Sequence, residues 1–321
     1  SLSHPDCRGL LILVDALHIW VVWSLETLFE SPLGAPLVFK GGTSLSKAYG
    51  AIRRFSEDVD LTYDIRALAP ELVCDRPDAL PPNRSQEKRW TKAVNRALRT
   101  WVRDAATPAL AQALQTVEPD GEIVIEDGDL LVRYVALSVG TDYARPEVKL
   151  EFGGRATGEP SAAMPIRCDA AEHVREVQFP TAEPRVLLAE RTFWEKATAA
   201  HVFCIQQRVR GEGFARHWHD LVRLDDAGVA ASALSDHGIA QDVAAHKAAF
   251  FREKDASGNW VDYRAAVTGG LRLIPVGDAL AALAADYARM VEDGWLLDDA
   301  EPFDALMDAC QAIEDRANSR D

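Results

Sequence analysis

The chain lacks the common signatures of nucleotide and acyl chemistry. It has no G-x-x-x-x-G-K-[ST] loop, no G-x-G-x-x-G turn and no G-x-S-x-G elbow. P-loop, dinucleotide-binding and nucleophile-elbow hydrolase classes are thereby disfavoured. Cysteine is scarce: Cys7, Cys74, Cys168, Cys204 and Cys310 are scattered, odd in number and free of C-x-x-C spacing. That pattern argues against a disulfide framework or a zinc site and points to a reducing, cytoplasmic setting. No apolar run is long enough to span a bilayer. The stretch from Leu10 to Leu25 carries Asp15 and His18, with neither a basic cluster nor a small-residue cleavage site before Glu26. It predicts a helix packed on a core and no membrane association. Internal repeats and low-complexity linkers are also absent.

Positive charge is in short supply. Thirty-five Lys and Arg face fifty Asp and Glu, a formal net charge of −15, which speaks against a nucleic-acid partner because phosphate contacts need cations. The acid is unevenly placed, however. Leu271–Asp321 holds twelve acidic and four basic residues, over half of the excess. Between them, Lys88, Lys92, Arg96, Arg99 and Arg103 recur at spacings of four, four, three and four, which places them on one helical face. Trp90, Val94, Leu98 and Trp101 form a second face suited to docking on a core. Local patches rather than net charge decide docking.

The most informative stretch is LVFKGGTSLSKAYGAIRRFSEDVDLTY, from Leu37 to Tyr63. Its apolar opening reads as a buried strand, broken by Gly41 and Gly42, after which Thr43 and Ser44 start a short helix. A second β-branched run follows in which Asp58 and Asp60 are two apart, so on a strand both carboxylates face one side. Two hard oxygen ligands beside a Gly turn feeding a helix N-terminus suit a magnesium-bound triphosphate. Bare Gly backbone lets the phosphates come close.

This arrangement resembles the nucleotidyltransferase superfamily, with its Gly-Gly or Gly-Ser turn, short helix and hDxDh strand. It is most similar to the AbiEii/AbiGii-like, or MenT-like, toxin nucleotidyltransferases. Their pattern of K-G-G-T-x-L, a spacer ending in Arg, then S-x-D-x-D stands here as Lys40, Gly41, Gly42, Thr43, Leu45, Arg54, Ser56, Asp58 and Asp60. A second family segment, E-K-x-x-A followed some twenty residues later by R-x-x-x-D, stands as Glu195, Lys196, Ala199, Arg216 and Asp220. The resemblance implies Mg2+, with Mn2+ as an alternative, and an NTP substrate. It also implies an acceptor at the 3′ end of tRNA, growth arrest, and a cognate antitoxin such as a winged-helix or kinase-like protein.

Each residue receives an expected role on these grounds. Asp58 and Asp60 bind metal, and Glu151, in the strand-like run Val148–Phe152, is the candidate third carboxylate. Lys40, Gly41, Gly42, Thr43 and Ser44 face the triphosphate. Ser56 lies at the site and is a conceivable point of control. Lys196, flanked by Phe193, Trp194 and Ala197, either snorkels or reaches a buried anion; the resemblance gives it the triphosphate. Asp220 would hold that lysine or assist the nucleophile, and Arg216 would contact phosphate or RNA. His201, His217 and His219 crowd the same region, but none has a partner at zinc spacing.

Periodicity predicts an α/β (α+β) fold: a mixed sheet with helices in a core domain over 1–184, then a helical C-terminal domain over 185–321. Strands are expected at Leu37–Lys40, Val59–Ile65, Leu131–Val139 and Glu147–Phe152, the last two forming a hairpin through a TDYARP turn; Glu122–Glu126 is a possible further strand. Helices are expected at Asp6–Phe29, Thr43–Ala51, Ser85–Leu114, Val186–Val209, Trp218–Ala227, Ala230–Ala248 and Asp278–Asp293. Pro70, Pro77, Pro81 and Pro82 mark Ala67–Arg84 as a loop. The functional expectation is a toxin-type, metal-dependent nucleotidyltransferase. Two alternatives stand beside it: transfer to a small molecule such as an aminoglycoside, or to a protein side chain; and a non-catalytic partner-binding scaffold.

Overall fold

A computed structural model describes residues 5–54, 58–74, 76–135, 146–174, 176–208, 211–297 and 300–319. The chain divides into two compact units: Ser1–Ala48, Ser56–Ala79 and Lys88–Leu187; and Tyr49–Phe55, Leu80–Glu87 and Leu188–Asp321.

The elements run α1 (Pro5–Phe29), β1 (Leu37–Lys40), α2 (Gly41–Lys47), β2 (Asp58–Asp64), α3 (Ile65–Leu68) and α4 (Pro70–Val73). Next come α5 (Arg84–Trp101), α6 (Thr107–Val117), β3 (Glu122–Glu126), β4 (Asp129–Arg133), β5 (Glu147–Ala156), β6 (Ser161–Ala163), β7 (Ile166–Arg167), β8 (Thr181–Ala182) and β9 (Arg185–Leu187). The remainder is helical: α7 (Ala189–Gln206), α8 (Arg216–Asp226), α9 (Val229–Ser235), α10 (His237–Phe250), α11 (Tyr263–Val267), α12 (Asp278–Glu292) and α13 (Phe303–Asn318).

In the first unit a seven-stranded sheet has the order β3-β4-β5-β2-β1-β9-β6, with β7 and β8 as a separate pair. The pairings β2–β5 and β1–β9 are parallel and the others antiparallel, so the sheet is mixed, as the sequence predicts. Strand formation follows the apolar pattern. Leu37, Val38 and Phe39 are fully buried, and in β2 and β5 Val59, Leu61, Val148 and Leu150 alternate with polar residues. Helix α1 contacts β5 and α6, burying Val21, Val22, Leu25 and Leu28. No helix among the described residues is long and apolar enough to cross a membrane.

Helix α5 buries Trp90, Val94 and Leu98, and Trp101 meets Tyr63 and Phe152 edge-on, at centroid distances of 5.0 and 5.3 Å. Lys88, Lys92, Arg96, Arg99 and Arg103 are all exposed, so the helix carries the two faces its spacing predicts. The single helix expected to reach Leu114 is interrupted by a π-helical stretch at Val102–Ala106. Pro108, with no N–H to donate and a ring that crowds the preceding turn, accounts for the break. The Thr107 hydroxyl donates to the Val102 carbonyl across it at 2.8 Å.

Several expected boundaries shift. A tight hairpin precedes the expected pair: β3 and β4 are joined at Asp127 and Gly128. Both have positive φ, 52° and 99°, the type I′ geometry for which Asp-Gly is suited. Strand β4 does pair antiparallel with β5, but the TDYARP segment lies outside the described residues. Pro70 heads α4 at the first helical position, where its missing N–H costs nothing, so the expected loop contains that short helix and the end of α3. Val186, expected to open a helix, instead lies in β9 opposite Phe39 of β1. The helix expected over Ala230–Ala248 is two, because the Asp236 carboxylate accepts the Ile239 N–H at 3.1 Å and caps a new start. The second unit holds α7–α13, of which α11 and α13 are additional to the expected helices.

Candidate active site

Strand register assembles the first cluster. Asp60 of β2 stands opposite Lys40 of β1 on one side and Glu151 of β5 on the other. Because side chains alternate along strands, Lys40, Asp60 and Glu151 project from one face in a row, and Asp58 opposite Lys149 forms the next row. Val59, Leu61 and Leu150, of the opposite parity, are fully buried. Two sequence-adjacent carboxylates are thus fixed on one surface by the burial of their neighbours.

Gly41 sets how close the turn comes to them. Its φ is +80°, and a Cβ built there would lie 2.0 Å from Asp60 Oδ2, so no side chain fits. Thr43 and Ser44 are buried. The Thr43 hydroxyl donates to the Asp58 carbonyl, clamping α2 to β2, and the Ser44 hydroxyl donates to the Gly41 carbonyl at 2.9 Å. These hydroxyls, expected to face phosphate, hold the turn instead. The turn's polar offering is its main chain, since the first N–H groups of a helix have no intrahelical acceptor.

Glu151 shares the Asp60 row, but Lys149 Nζ donates to its carboxylate and lies 3.2 Å from Asp129 Oδ2. The hydrogen bond to Glu151 foremost, opposed by burial and aided by Asp129, raises the Lys149 pKa above the ordinary lysine range. Among the described residues no group of three His, Cys, Asp or Glu side chains is arranged to hold a metal. Asp58 and Asp60 alone suit magnesium, which is ordinarily held by one or two carboxylates with phosphates and waters completing its shell. Ser56 lies outside the described residues.

A second cluster forms around Asp220 in α8. The Arg54 guanidinium grips its carboxylate with two bonds, Nε to Oδ1 at 2.8 Å and Nη2 to Oδ2 at 3.0 Å. Lys196 Nζ of α7 lies 2.7 Å from Oδ2, and His219 Nδ1 is 3.5 Å from Oδ1. Asp220 is fully buried, while Lys196 and Arg54 are 7% and 8% exposed. Burial opposes ionisation of Asp220, but Arg54 and Lys196 outweigh it and hold the carboxyl well below its usual range. The Lys196 pKa is lowered, by burial first; Asp220 opposes the shift and the charges of Arg54 and Arg216 add to it.

Two cations thus meet one buried carboxylate in a poorly solvated place, where charge–charge contacts are strong.

The structure therefore joins Lys196 to Asp220, as expected, and adds Arg54. That arginine ends the first motif's spacer but had received no role; only its recurrence in the motif pointed to it. Arg216 is exposed at the first position of α8. His217 is held well below the ordinary histidine pKa by burial first, then by Lys196 and Arg216, which favours a neutral ring. His201 Nδ1 accepts the Arg272 N–H at 3.0 Å.

The family model for the nucleotidyl transferase AbiEii toxin of type IV toxin–antitoxin systems matches residues 23–309. Among solved structures, the chain is similar to MenT4, a nucleotidyltransferase toxin from Mycobacterium tuberculosis H37Rv. That match has 19% identity and a TM-score of 0.33, covering 94% of this chain and 92% of the other. A search of curated proteins found no match. The family model spans both motifs and nearly all of both units, and the chain belongs to the AbiEii nucleotidyl transferase toxins of type IV toxin–antitoxin systems.

Proposed function

We propose that this enzyme transfers a nucleotidyl group from an NTP to the 3′ end of tRNA in a magnesium-dependent reaction, releasing pyrophosphate. The consequence would be RNA unable to accept an amino acid, and growth arrest that the cognate antitoxin relieves. The observation that carries the reading is the buried cluster in which Arg54 and Lys196 both meet the Asp220 carboxylate, because it holds the Lys196 ammonium of the family's second motif in a fixed position.

Asp58 and Asp60 would hold the divalent cation, Mg2+ or Mn2+. When bound, it neutralises the triphosphate and lowers the pKa of an attacking hydroxyl. Gly41 and Gly42 allow main-chain approach to phosphate, and Lys40 presents its ammonium on the face that bears Asp60. Lys196 meets a phosphate oxygen as a compact point charge. Asp220 orients it and, through Arg54, keeps the cluster rigid, so little reorganisation is needed as charge develops. Arg216 supplies a further, solvent-facing cation.

Support for an RNA acceptor comes from the exposed stripe of Lys88, Lys92, Arg96 and Arg99 on α5. It concentrates cations on one face of a chain whose net charge is −15. The test is incubation with each labelled NTP, a divalent cation and total tRNA. Label should enter RNA. Label in a small molecule or in protein would overturn the acceptor, and no label anywhere would overturn the activity.

A further inference from the structure

We propose that the hairpin around Trp260 in the second unit is a stacking platform for an unpaired nucleotide of an RNA strand. This rests on the reading of RNA as the acceptor and deepens it by naming where single-stranded RNA is gripped. Trp260 is 46% exposed, unusual for the largest apolar side chain, and Phe251 nearby is 38% exposed. Cations gather on these rings. The Arg252 guanidinium carbon lies 4.2 Å from the Trp260 ring centroid, Lys254 Nζ 5.1 Å and the Arg84 guanidinium carbon 5.2 Å. Lys247 Nζ lies 5.2 Å from the Phe251 ring. Among the described residues, Arg84, Arg252 and Lys254 form no salt bridge with a carboxylate.

The neighbouring acids are already engaged. The Glu253 carboxylate accepts the Gln206 amide at 2.9 Å, and Asp255 accepts the main-chain N–H groups of Ser257 and Asn259 at 2.9 and 2.8 Å. Glu253 and Asp255 keep their charge, but their oxygens are turned to these amide donors rather than ion-paired with Arg84, Arg252 or Lys254. The hairpin is also held in place. Lys254 pairs antiparallel with Trp260, the Ala256 N–H donates to the Ile205 carbonyl at 3.1 Å, and the Val261 N–H donates to the Glu253 carbonyl at 3.0 Å. The Tyr263 hydroxyl donates to the Phe251 carbonyl at 2.7 Å.

A fixed aromatic surface with cations against its rings matches what a single strand presents. Its bases stack on indole faces and guanidinium planes, and its phosphates meet Lys and Arg. A duplex offers no base face to such a platform. An acidic protein segment would use the cations but not the stacking surface, and the patch has both.

The test uses the full-length protein without NTP and reads fluorescence anisotropy of a short labelled single-stranded oligoribonucleotide, with polyglutamate as competitor. Trp260→Ala should weaken binding roughly 5- to 100-fold, the range for loss of one stacked base, with little change in salt dependence. Trp260→Phe should keep most of the affinity and confirms that the hairpin folds. The double variant Arg252→Ala/Lys254→Ala should instead flatten the log–log salt slope by about 0.7 for each lost contact.

If the wild type binds the oligonucleotide and Trp260→Ala binds it equally, the platform is overturned while the RNA acceptor stands. If the wild type does not bind RNA, both fall. Displacement by polyglutamate with loss of that competition in Trp260→Ala would reassign the patch to an acidic protein partner and overturn the proposal.

Discussion

Asp220→Ala would remove the carboxylate on which two buried cations meet. Arg54 loses a bidentate partner and Lys196 its contact at 2.7 Å. Neither can retreat to water easily, since both are less than a tenth exposed. Stranding a buried charge in this way costs on the order of 3–5 kcal/mol. For a unit of this size each kcal/mol lowers Tm by about 2–4 °C, so a fall of roughly 6–20 °C is expected.

Lys196→Met is a different perturbation. It leaves the Arg54–Asp220 pair intact and removes an ammonium that burial already disfavours, so its stability cost should stay within about 1 kcal/mol. Placing Asp220→Ala in the Lys196→Met background should then cost less than in the wild type, by about 1–3 kcal/mol of coupling, because only one cation is left stranded. Chemical denaturation of the four proteins closes the cycle. The Asp220 pKa is depressed, so its contribution is complete above the unfolded value near 4 and fades only below it; the deficit at pH 5 should equal that at pH 7. Transfer assays on the same set should show both single variants severely impaired and the double scarcely worse. Lys196→Arg should recover little, since a planar fork does not replace a compact ammonium. A wild-type melt for Asp220→Ala, or strictly additive losses, would refute the clustered-charge reasoning.

Asp58→Asn and Asp60→Asn should each abolish transfer while the melting curve stays near wild type, measured with labelled NTP and tRNA; near-normal activity in either would sink the metal assignment. Gly41→Ala should also lose transfer, because its Cβ would lie 2.0 Å from Asp60 Oδ2; retained activity would show that the turn is free to move. Reversing two charges of the α5 stripe, Lys92→Glu with Arg96→Glu, should weaken tRNA binding and flatten its salt slope by about one unit per lost contact. An unchanged slope assigns that face to solvent.

The chain should also lose stability on mild acidification through His201. Burial foremost, with Arg272, lowers its pKa to about 4, so the unfolded state binds the extra proton once pH falls below roughly 6.5, and stability drops by up to about 1.4 kcal/mol per pH unit until the folded value is reached. His201→Gln should flatten that limb in denaturation measured between pH 7 and pH 4, and an unchanged limb would place the titration elsewhere.

The legibility of this molecule divides by the range of the interactions that decide each feature. Helix α5 was readable because its two faces repeat within eighteen residues, and the Asp58–Asp60 pair was readable because strand alternation is local. The split at Asp236 was also written in the sequence, as a capping residue ahead of Gly238, but a continuous alanine-rich stretch masked it. By contrast, Arg185–Leu187 is a strand because it pairs with Ser161–Ala163 on one side and Val186 finds Phe39, almost 150 residues earlier, on the other. A three-residue apolar run has no period of its own with which to announce that.

The same distinction governs the charged residues. Lys196 and Asp220 could be paired in advance because a family segment links them, whereas the partnership of Arg54 with Asp220 spans 166 positions and leaves no local trace. The hydroxyls of Thr43 and Ser44 follow the same rule. A hydroxyl after a glycine turn looks poised for phosphate, yet whether it turns outward depends on which carbonyl the tertiary fold brings near. For Thr43 that carbonyl belongs to Asp58, one of the two residues proposed to bind the cation. The hydroxyl thus ties α2 to the strand that carries Asp58 and Asp60, and this contact appears only once α2 and β2 are seen together.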